Sequence, residues 1–375
     1  MIKFSHPPMT VAERAPEYVR AIAPYVGGKP IDEVARELSL DPATIVKLAS
    51  NENPRGPGRR TLDAIAAAAK DLTRYPDGNG FALKAALSAQ LRVTPEQIVL
   101  GNGSNDVLEL TTQAFLRAGD HAVYSQYAFI VYPLATQARG AVGIEVPARD
   151  YGHDLAAMRA AMTPKTRIVF IANPNNPTGT WLAGAAVESF IASVPKDVLV
   201  VLDEAYNEYL DDSDRADSIG WVARYPNLVV SRTFSKAHGL AALRVGYGVM
   251  NREVADMMNR VRQPFNVNAL AQSAATAALQ DSEYVQESRR LNREGMRQLE
   301  SGLSALSLRY LRSHGNFILV EVGNAERVNQ ALLRQGVIVR PVANYDLPTW
   351  LRVTVGLPGE NERFLGALNR ALGAR

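Results

Sequence analysis

Through the middle of the chain, short unbroken apolar runs alternate with longer stretches in which apolar residues recur every three or four positions. The runs are QIVL at Gln97 to Leu100, AVYS from Ala122, RIVFIAN from Arg167, VLVVLDEA from Val198, LVVSRT from Leu228 and VGYGVM from Val245. Continuous apolar character, without strict alternation, is what strands of a parallel sheet require when helices cover both faces. Asp106 to Leu116 and Gly184 to Val194 carry the helical period between them. This order predicts an α/β fold with a mostly parallel, doubly wound central sheet, whose ligands sit beyond the carboxyl ends of the strands.

After Arg252 the pattern changes. A long helix is expected from about Asn268 past Arg297; FILVEV, VIVRP and WLRVTVG then alternate more clearly, and a last helix is expected near Glu360 to Leu372. These features predict a smaller α+β domain joined through the long helix, with the helix PIDEVAREL near the amino terminus packing against it. The expected organisation is an amino-terminal arm and part of the small domain over 1–48, a large domain over 49–265, and the connecting helix with the carboxyl-terminal small domain over 266–375.

Composition narrows the function. The chain has 375 residues, 47% hydrophobic and 21% charged, enough for a sizeable core and unlike a disordered sequence. Its net charge of +3 is spread along the chain, without the basic stripe of a nucleic-acid binder, and suits a small anionic ligand better. Having no cysteine, it has no disulfide and no thiolate chemistry. The five histidines, His6, His121, His153, His238 and His314, stand too far apart for ligand-like spacing, so no metal site is expected. Acids and prolines near the amino terminus, and the lack of any membrane-length apolar segment, predict a cytoplasmic protein with no membrane partner.

Several predicted strands end in polar motifs, which the sheet should bring together. GNGSND, Gly101 to Asp106, is a glycine turn opening a helix: a tight turn, or an anion site built from free backbone N–H groups. The third glycine of a dinucleotide fingerprint is replaced by Asp106. ANPNNPTGT, Ala172 to Thr180, is a rigid turn with an asparagine amide to spare. Asp203 follows the apolar VLVVL and reads either as a helix cap or as a carboxylate at the mouth of a central strand. SRTFSKAHGLAALRVGYGV places Lys236 among small residues, with hydroxyls at Ser231, Thr233 and Ser235 and a guanidinium at Arg244. A lysine desolvated there becomes a nucleophilic amine, and hydroxyls, helix amides and a guanidinium together hold a phosphate. As a set, these are the parts that pyridoxal 5′-phosphate needs: an amine for its aldehyde, a carboxylate for its ring nitrogen and a cradle for its phosphate.

SNENPRGP (Ser50 to Pro57), RYPDG (Arg74 to Gly78), NPNNPTG (Asn173 to Gly179), DEAY (Asp203 to Tyr206), SRTFSKAHGLAALRVGY and LRVTVG (Leu351 to Gly356) resemble the fold-type I aminotransferases essentially from end to end. Within them the chain is most similar to the histidinol-phosphate aminotransferases. The resemblance implies that Lys236 takes the cofactor aldehyde as a Schiff base and then carries the proton between substrate and cofactor, and that Asp203 pairs with the ring nitrogen. It implies Tyr206 and Asn176 at the phenolic oxygen, Phe129 stacked on the ring, and Ser104, Asn105, Thr233, Ser235 and Arg244 around the phosphate. It gives Tyr75 to the phosphate site of a neighbouring subunit, hence a homodimer, and assigns substrate recognition to Tyr25, Asn53, Arg340 and Arg352. On pattern alone Arg352, alternating with apolar residues in LRVTV, reads as part of a solvated strand face, and only the matching motif turns it toward substrate. His238 departs from the family pattern, where an aromatic or other bulky residue is more usual.

The implied reaction is a two-stage amino transfer from L-histidinol phosphate to 2-oxoglutarate, an amino donor and a 2-oxo acid acceptor. The alternatives are an aromatic amino-acid aminotransferase, a phosphothreonine decarboxylase on the same scaffold, and a non-catalytic pyridoxal-phosphate sensor. The sensor would need a basic helix-turn-helix region, whereas the segment before Ser50 holds the acidic PIDEVAREL.

Overall fold

The computed structural model describes residues 10–24 and 27–373. In chain order the strands are β1 (Val46–Lys47), β2 (Ile98–Gly101), β3 (His121–Ser125), β4 (Val142–Val146), β5 (Thr166–Ala172), β6 (Leu199–Asp203) and β7 (Leu228–Thr233). They continue as β8 (Gly246–Met250), β9 (Tyr310–Leu311), β10 (Phe317–Glu321), β11 (Val337–Ile338), β12 (Arg340–Val342) and β13 (Leu347–Thr354). Seven of them form the main sheet in the order β2-β8-β7-β6-β5-β3-β4.

The apolar runs became strands because both their faces are covered. Val200, Leu202, Val230 and Val249 point into one core with the helices Phe81–Leu91, Gly184–Ser193 and Ala269–Leu279, while Val201, Val229, Phe170 and Ala172 point into another beneath the helix Ser104–Phe115. β8 differs from the parallel expectation by running antiparallel to both β7 and β2. The loop from β7 to β8 holds only a 3₁₀ turn at Ala241–Leu243, too little for the helical crossover that a parallel return requires. The reversal matters at the ligand end of the sheet, because it carries Arg244 back to the end of β7, where Gly246 pairs with Thr233. β4 carries no apolar run; its burial is confined to Val146, and it sits at the sheet edge.

The long helix expected past Asn268 is two helices, Ala269–Leu279 and Ser282–Ala305. The Asp281 carboxylate accepts a hydrogen bond from the Tyr284 amide at 3.2 Å, capping the second helix and ending the helical run before it. Beyond it, β12, β13, β10 and β9 form an antiparallel sheet with its own core, including Ile318, Val320, Leu351, Val353 and Phe364. The helix Ile31–Leu38 packs on that side through Val34 and Ala35 against Ile338 and Leu333, and β1 pairs with β11.

Candidate active site

The carboxyl ends of β5, β6 and β7, the start of the helix Ser104–Phe115, the segment Ala49–Asn51 and the strands β12 and β13 enclose a cavity of about 210 Å³. Lys236, Asp203, Tyr206, Asn176, Ser104, Asn105, Phe129, Thr233, Ser235, Arg244, Arg340 and Arg352 all line it. The contributors from Ser104 to Arg244 meet there because every contributing strand of the main sheet ends in a polar motif at the same edge, and the segment Ala49–Asn51 with β12 and β13 closes the cavity from the other side.

Lys236 lies just beyond β7, and its Nζ donates to the Ser50 carbonyl at 3.1 Å. Burial pushes its pKa down to about 7, and the Arg352 and Arg244 guanidiniums push in the same direction, against a weaker pull from Glu52. At neutral pH a large share of this amine is unprotonated and nucleophilic. Asp203 ends β6 with its carboxylate buried. Burial raises its pKa to about 6, while the Tyr132 hydroxyl and the Ala205 amide pull it down. Its Oδ2 accepts the Tyr132 hydroxyl at 2.8 Å, and its Oδ1 has no hydrogen-bond partner among the described residues. An orphaned buried carboxylate oxygen at the edge of a cavity fits a cationic N–H on a ligand.

The opposite end of the cavity is built for an anion. Gly103 precedes the helix Ser104–Phe115 at φ 81° and ψ 168°. That conformation is one that residues with a side chain hardly ever adopt. A Cβ on Gly103 would stand 2.4 Å from Arg244 Nη2, and one on Gly246 would stand 2.4 Å from the Ser104 backbone nitrogen. Two glycines thus let β8 and the guanidinium close on the first turn of the helix, whose free amides and positive dipole end favour negative charge. Arg244, itself at φ 57°, donates to the Ala241 carbonyl at 3.0 Å and reaches Ser235 Oγ at 3.4 Å.

Asn176 and Tyr206 occupy the wall between these ends. Tyr206 accepts from Asn51 Nδ2 at 2.9 Å; burial raises its hydroxyl pKa to about 12, although Arg352 pulls the other way. Asn176 Oδ1 accepts from Arg352 Nη1 at 2.5 Å, and Arg352 Nη2 donates to the Ala49 carbonyl at 2.7 Å. Arg352 is therefore no solvated strand residue: it is 8% exposed and pairs directly with Arg340, 9% exposed, across β12 and β13. Like charges held directly opposite each other cost a sheet stability, and an anion bound between them would offset that cost.

Of the expected residues, Tyr75 and Asn53 lie away from the cavity. Tyr25 lies outside the described residues. Tyr75 is 83% exposed and stacks on Phe265 at 4.9 Å, away from the cavity of its own chain. Asn53 turns from the cavity toward the helix Ser282–Ala305, donating to Ser288 Oγ at 3.0 Å and to the Ala237 carbonyl at 2.9 Å. Asn51, two residues earlier at φ 55°, lines the cavity instead. His238 packs against Phe234 at 4.9 Å and is absent from the cavity lining; burial lowers its pKa to about 4.

Tyr345, Ser50, Asn51 and Tyr132 are the contributors that sequence reasoning missed. A signal existed for three of them. Ser50 and Asn51 stand within SNENPRGP, and Tyr132 lies three positions after Phe129, about one helical turn. The arrangement as a whole fits pyridoxal 5′-phosphate: an amine poised near neutrality, an unpartnered carboxylate oxygen and a glycine-lined phosphate cradle share one cavity. Among the described residues no cluster of histidine and carboxylate side chains has the makings of a metal site, and no helix is long and apolar enough to cross a membrane.

The profile of the aminotransferase class I and II family matches residues 43–368. Histidinol-phosphate aminotransferase 1 of Cupriavidus pinatubonensis (strain JMP 134 / LMG 1197) is 62% identical over 361 residues, which cover 95% of this chain and 96% of that protein. Histidinol-phosphate aminotransferase 2 of Pseudomonas fluorescens (strain Pf0-1) is 61% identical over 355 residues, 94% of this chain and 96% of that protein. Among solved structures, the histidinol-phosphate aminotransferase from Sinorhizobium meliloti, in complex with pyridoxal 5′-phosphate, superposes with a TM-score of 0.89 at 27% identity, covering 96% of this chain and 98% of that one.

Proposed function

The chain belongs to the class I and II aminotransferases, and on that premise we propose that it transfers an amino group between L-histidinol phosphate and 2-oxoglutarate in histidine biosynthesis, using pyridoxal 5′-phosphate. The observation that carries the reading is the meeting, in one cavity, of the Lys236 amine, the unpartnered Asp203 Oδ1 and the paired Arg340 and Arg352.

When bound, the cofactor supplies an aldehyde that accepts the amino group and a cationic ring that withdraws electrons from the substrate α-carbon. Asp203 keeps a proton on the ring nitrogen, and Phe129 covers the ring face. Arg244, the amides at Ser104 and Asn105, and the hydroxyls of Thr233 and Ser235 hold the phosphate. Tyr206 and Asn176 donate to the phenolic oxygen and fix the ring's orientation. Lys236 Nζ would receive the α-carbon proton and return it on the other side of the transfer. Its depressed pKa favours the unprotonated form that this proton transfer requires. Arg340 and Arg352 take the donor's phosphate in one half-reaction and the acceptor's carboxylate in the other, which explains why two guanidiniums are held together out of water.

We assign a homodimer with shared sites on the exposure of Tyr75, whose ring stands beside Phe265 on the surface while its own chain's cavity lies elsewhere. Both substrates are small water-soluble metabolites, in keeping with work in the cytoplasm. The test is single turnover. The purified holoprotein is mixed with L-histidinol phosphate or, separately, with L-phenylalanine and L-tyrosine, and the loss of its visible absorbance is followed. A preference for histidinol phosphate of roughly 10³, about 4 kcal/mol of differential transition-state binding, is expected. Equal or faster conversion of the aromatic acids would replace the proposed substrate by the aromatic one.

A further inference from the structure

We propose that Tyr132 is the positioning residue for the Asp203 carboxylate: its hydroxyl occupies one oxygen, so that the other is presented to the cofactor ring as an ionised acceptor. The inference rests on the reading that Asp203 faces the ring nitrogen.

Tyr132 does not line the cavity, and its ring is wholly buried. Its hydroxyl donates to Asp203 Oδ2 at 2.8 Å, the one hydrogen bond between Asp203 and another side chain among the described residues. Its ring is fixed on two sides. It stacks on Phe170 at 4.7 Å with the planes 5° apart, and it meets Phe129, the ring assigned to the cofactor face, edge-on at 5.9 Å. One side chain therefore braces both the carboxylate beneath the ring nitrogen and the aromatic cover of the ring. Burial holds the Tyr132 hydroxyl far above its usual pKa, with the Asp203 charge adding to the shift, so at working pH it remains a donor.

The consequence is chemical. The proton between Asp203 Oδ1 and the ring nitrogen has two resting places, on nitrogen as an ion pair or on oxygen as a neutral pair. A hydrogen bond donated to Oδ2 stabilises the carboxylate more than the carboxylic acid. It biases the proton toward nitrogen, which keeps the ring an electron sink. Burial alone acts in the opposite direction, because it favours the uncharged acid. Lys236 weakly favours the carboxylate and Glu204 weakly opposes it; the Ala205 amide assists.

Tyr132→Phe deletes the hydroxyl and keeps both ring contacts. The holoprotein is reconstituted with ¹⁵N-labelled pyridoxal 5′-phosphate, and the ring-nitrogen resonance is compared among wild type, Tyr132→Phe and Asp203→Asn. The resonance of Tyr132→Phe is expected to move toward the unprotonated position. Its cofactor dissociation constant should rise about tenfold or more, and kcat should fall by a similar factor with little change in KM, the scale of one hydrogen bond to a charged group. Should Asp203→Asn move the resonance while Tyr132→Phe leaves both the resonance and the cofactor affinity at wild-type values, the inference is overturned and the assignment of Asp203 stands. Should neither variant move it, both are overturned. If Tyr132→Phe does not fold, 3-fluorotyrosine at position 132 keeps the shape and makes the hydroxyl a stronger donor. A shift toward the protonated position then supports the proposal, and no shift overturns it.

Discussion

Replacing Gly103 by alanine separates two effects that the fold joins at one atom. The first is conformational: with φ 81° and ψ 168°, Gly103 occupies a region that costs a residue bearing a Cβ about 1–3 kcal/mol. The second is steric, since the new methyl would stand 2.4 Å from Arg244 Nη2 and 3.1 Å from Cζ. The guanidinium must swing away, and with it a charge-assisted hydrogen bond to a bound phosphate worth about 1.5–3 kcal/mol. Only the second effect acts on the ligand, so Gly103→Ala should raise the cofactor dissociation constant roughly 10- to 150-fold. The first should appear as lost stability in the cofactor-free protein. Gly119→Ala is the control, because Gly119 has φ 84° and a methyl added there would meet nothing within 4 Å. It should lose stability and keep its cofactor affinity. Urea unfolding of the cofactor-free forms gives the first quantity, and equilibrium titration with pyridoxal 5′-phosphate gives the second. If Gly103→Ala binds the cofactor within about twofold of wild type, or if Gly119→Ala weakens binding equally, the guanidinium's place in the cradle is wrong.

Three further outcomes are expected. In the cofactor-free protein, Lys236 should react with an amine-acylating reagent with a midpoint near pH 7, read by peptide mass spectrometry, while exposed lysines follow the usual value near 10.4; a midpoint above about pH 9 would contradict the desolvated site. Because the folded pKa lies below the unfolded one, the unfolded chain binds the extra proton between them. The stability of that form should therefore rise as the pH climbs from about 7 toward 10, with the full cost of the buried amine present below pH 7. Mixing inactive Tyr75 and Lys236 variants should restore part of the activity if Tyr75 serves the neighbouring subunit, and no recovery despite demonstrated subunit exchange would remove it from the site.

Most of the main sheet was legible because its strands are buried on both faces, so their sequences are apolar without interruption. β4 was not, since an edge strand with a largely exposed face, VGIEV, carries no such run. The direction of β8 was also hidden: apolar continuity reports burial and says nothing about orientation. Asp281 shows the same limit at smaller scale. The apolar period runs through LQDSEY, and the break between two helices shows in the non-helical backbone of Asp281, at φ −112° and ψ 65°, and in the hydrogen bond its carboxylate takes from the Tyr284 amide.

The candidate site divides along similar lines. Residue types that chemistry demands in a fixed local order, Lys236 among hydroxyls, Asp203 after VLVVL and the glycines before Ser104, can be read from the chain, because each motif is set by the end of its own strand. Contacts between strands carry no such local mark. The facing of Arg340 by Arg352 depends on the register of β12 and β13, and the hold of Tyr132 on Asp203 depends on how the helix following β3 packs on the sheet. The turn of Asn53 away from the cavity, leaving Asn51 to line it, depends on a helix more than two hundred residues later. The sequence by itself determined the class of fold and the cofactor chemistry and marked the candidate residues for it, since these follow from local pattern and side-chain type. Only the tertiary structure decided which oxygen of Asp203 remains open, how far the Lys236 pKa falls and which asparagine lines the cavity, because burial and electrostatic fields sum over groups that meet only when the chain is folded.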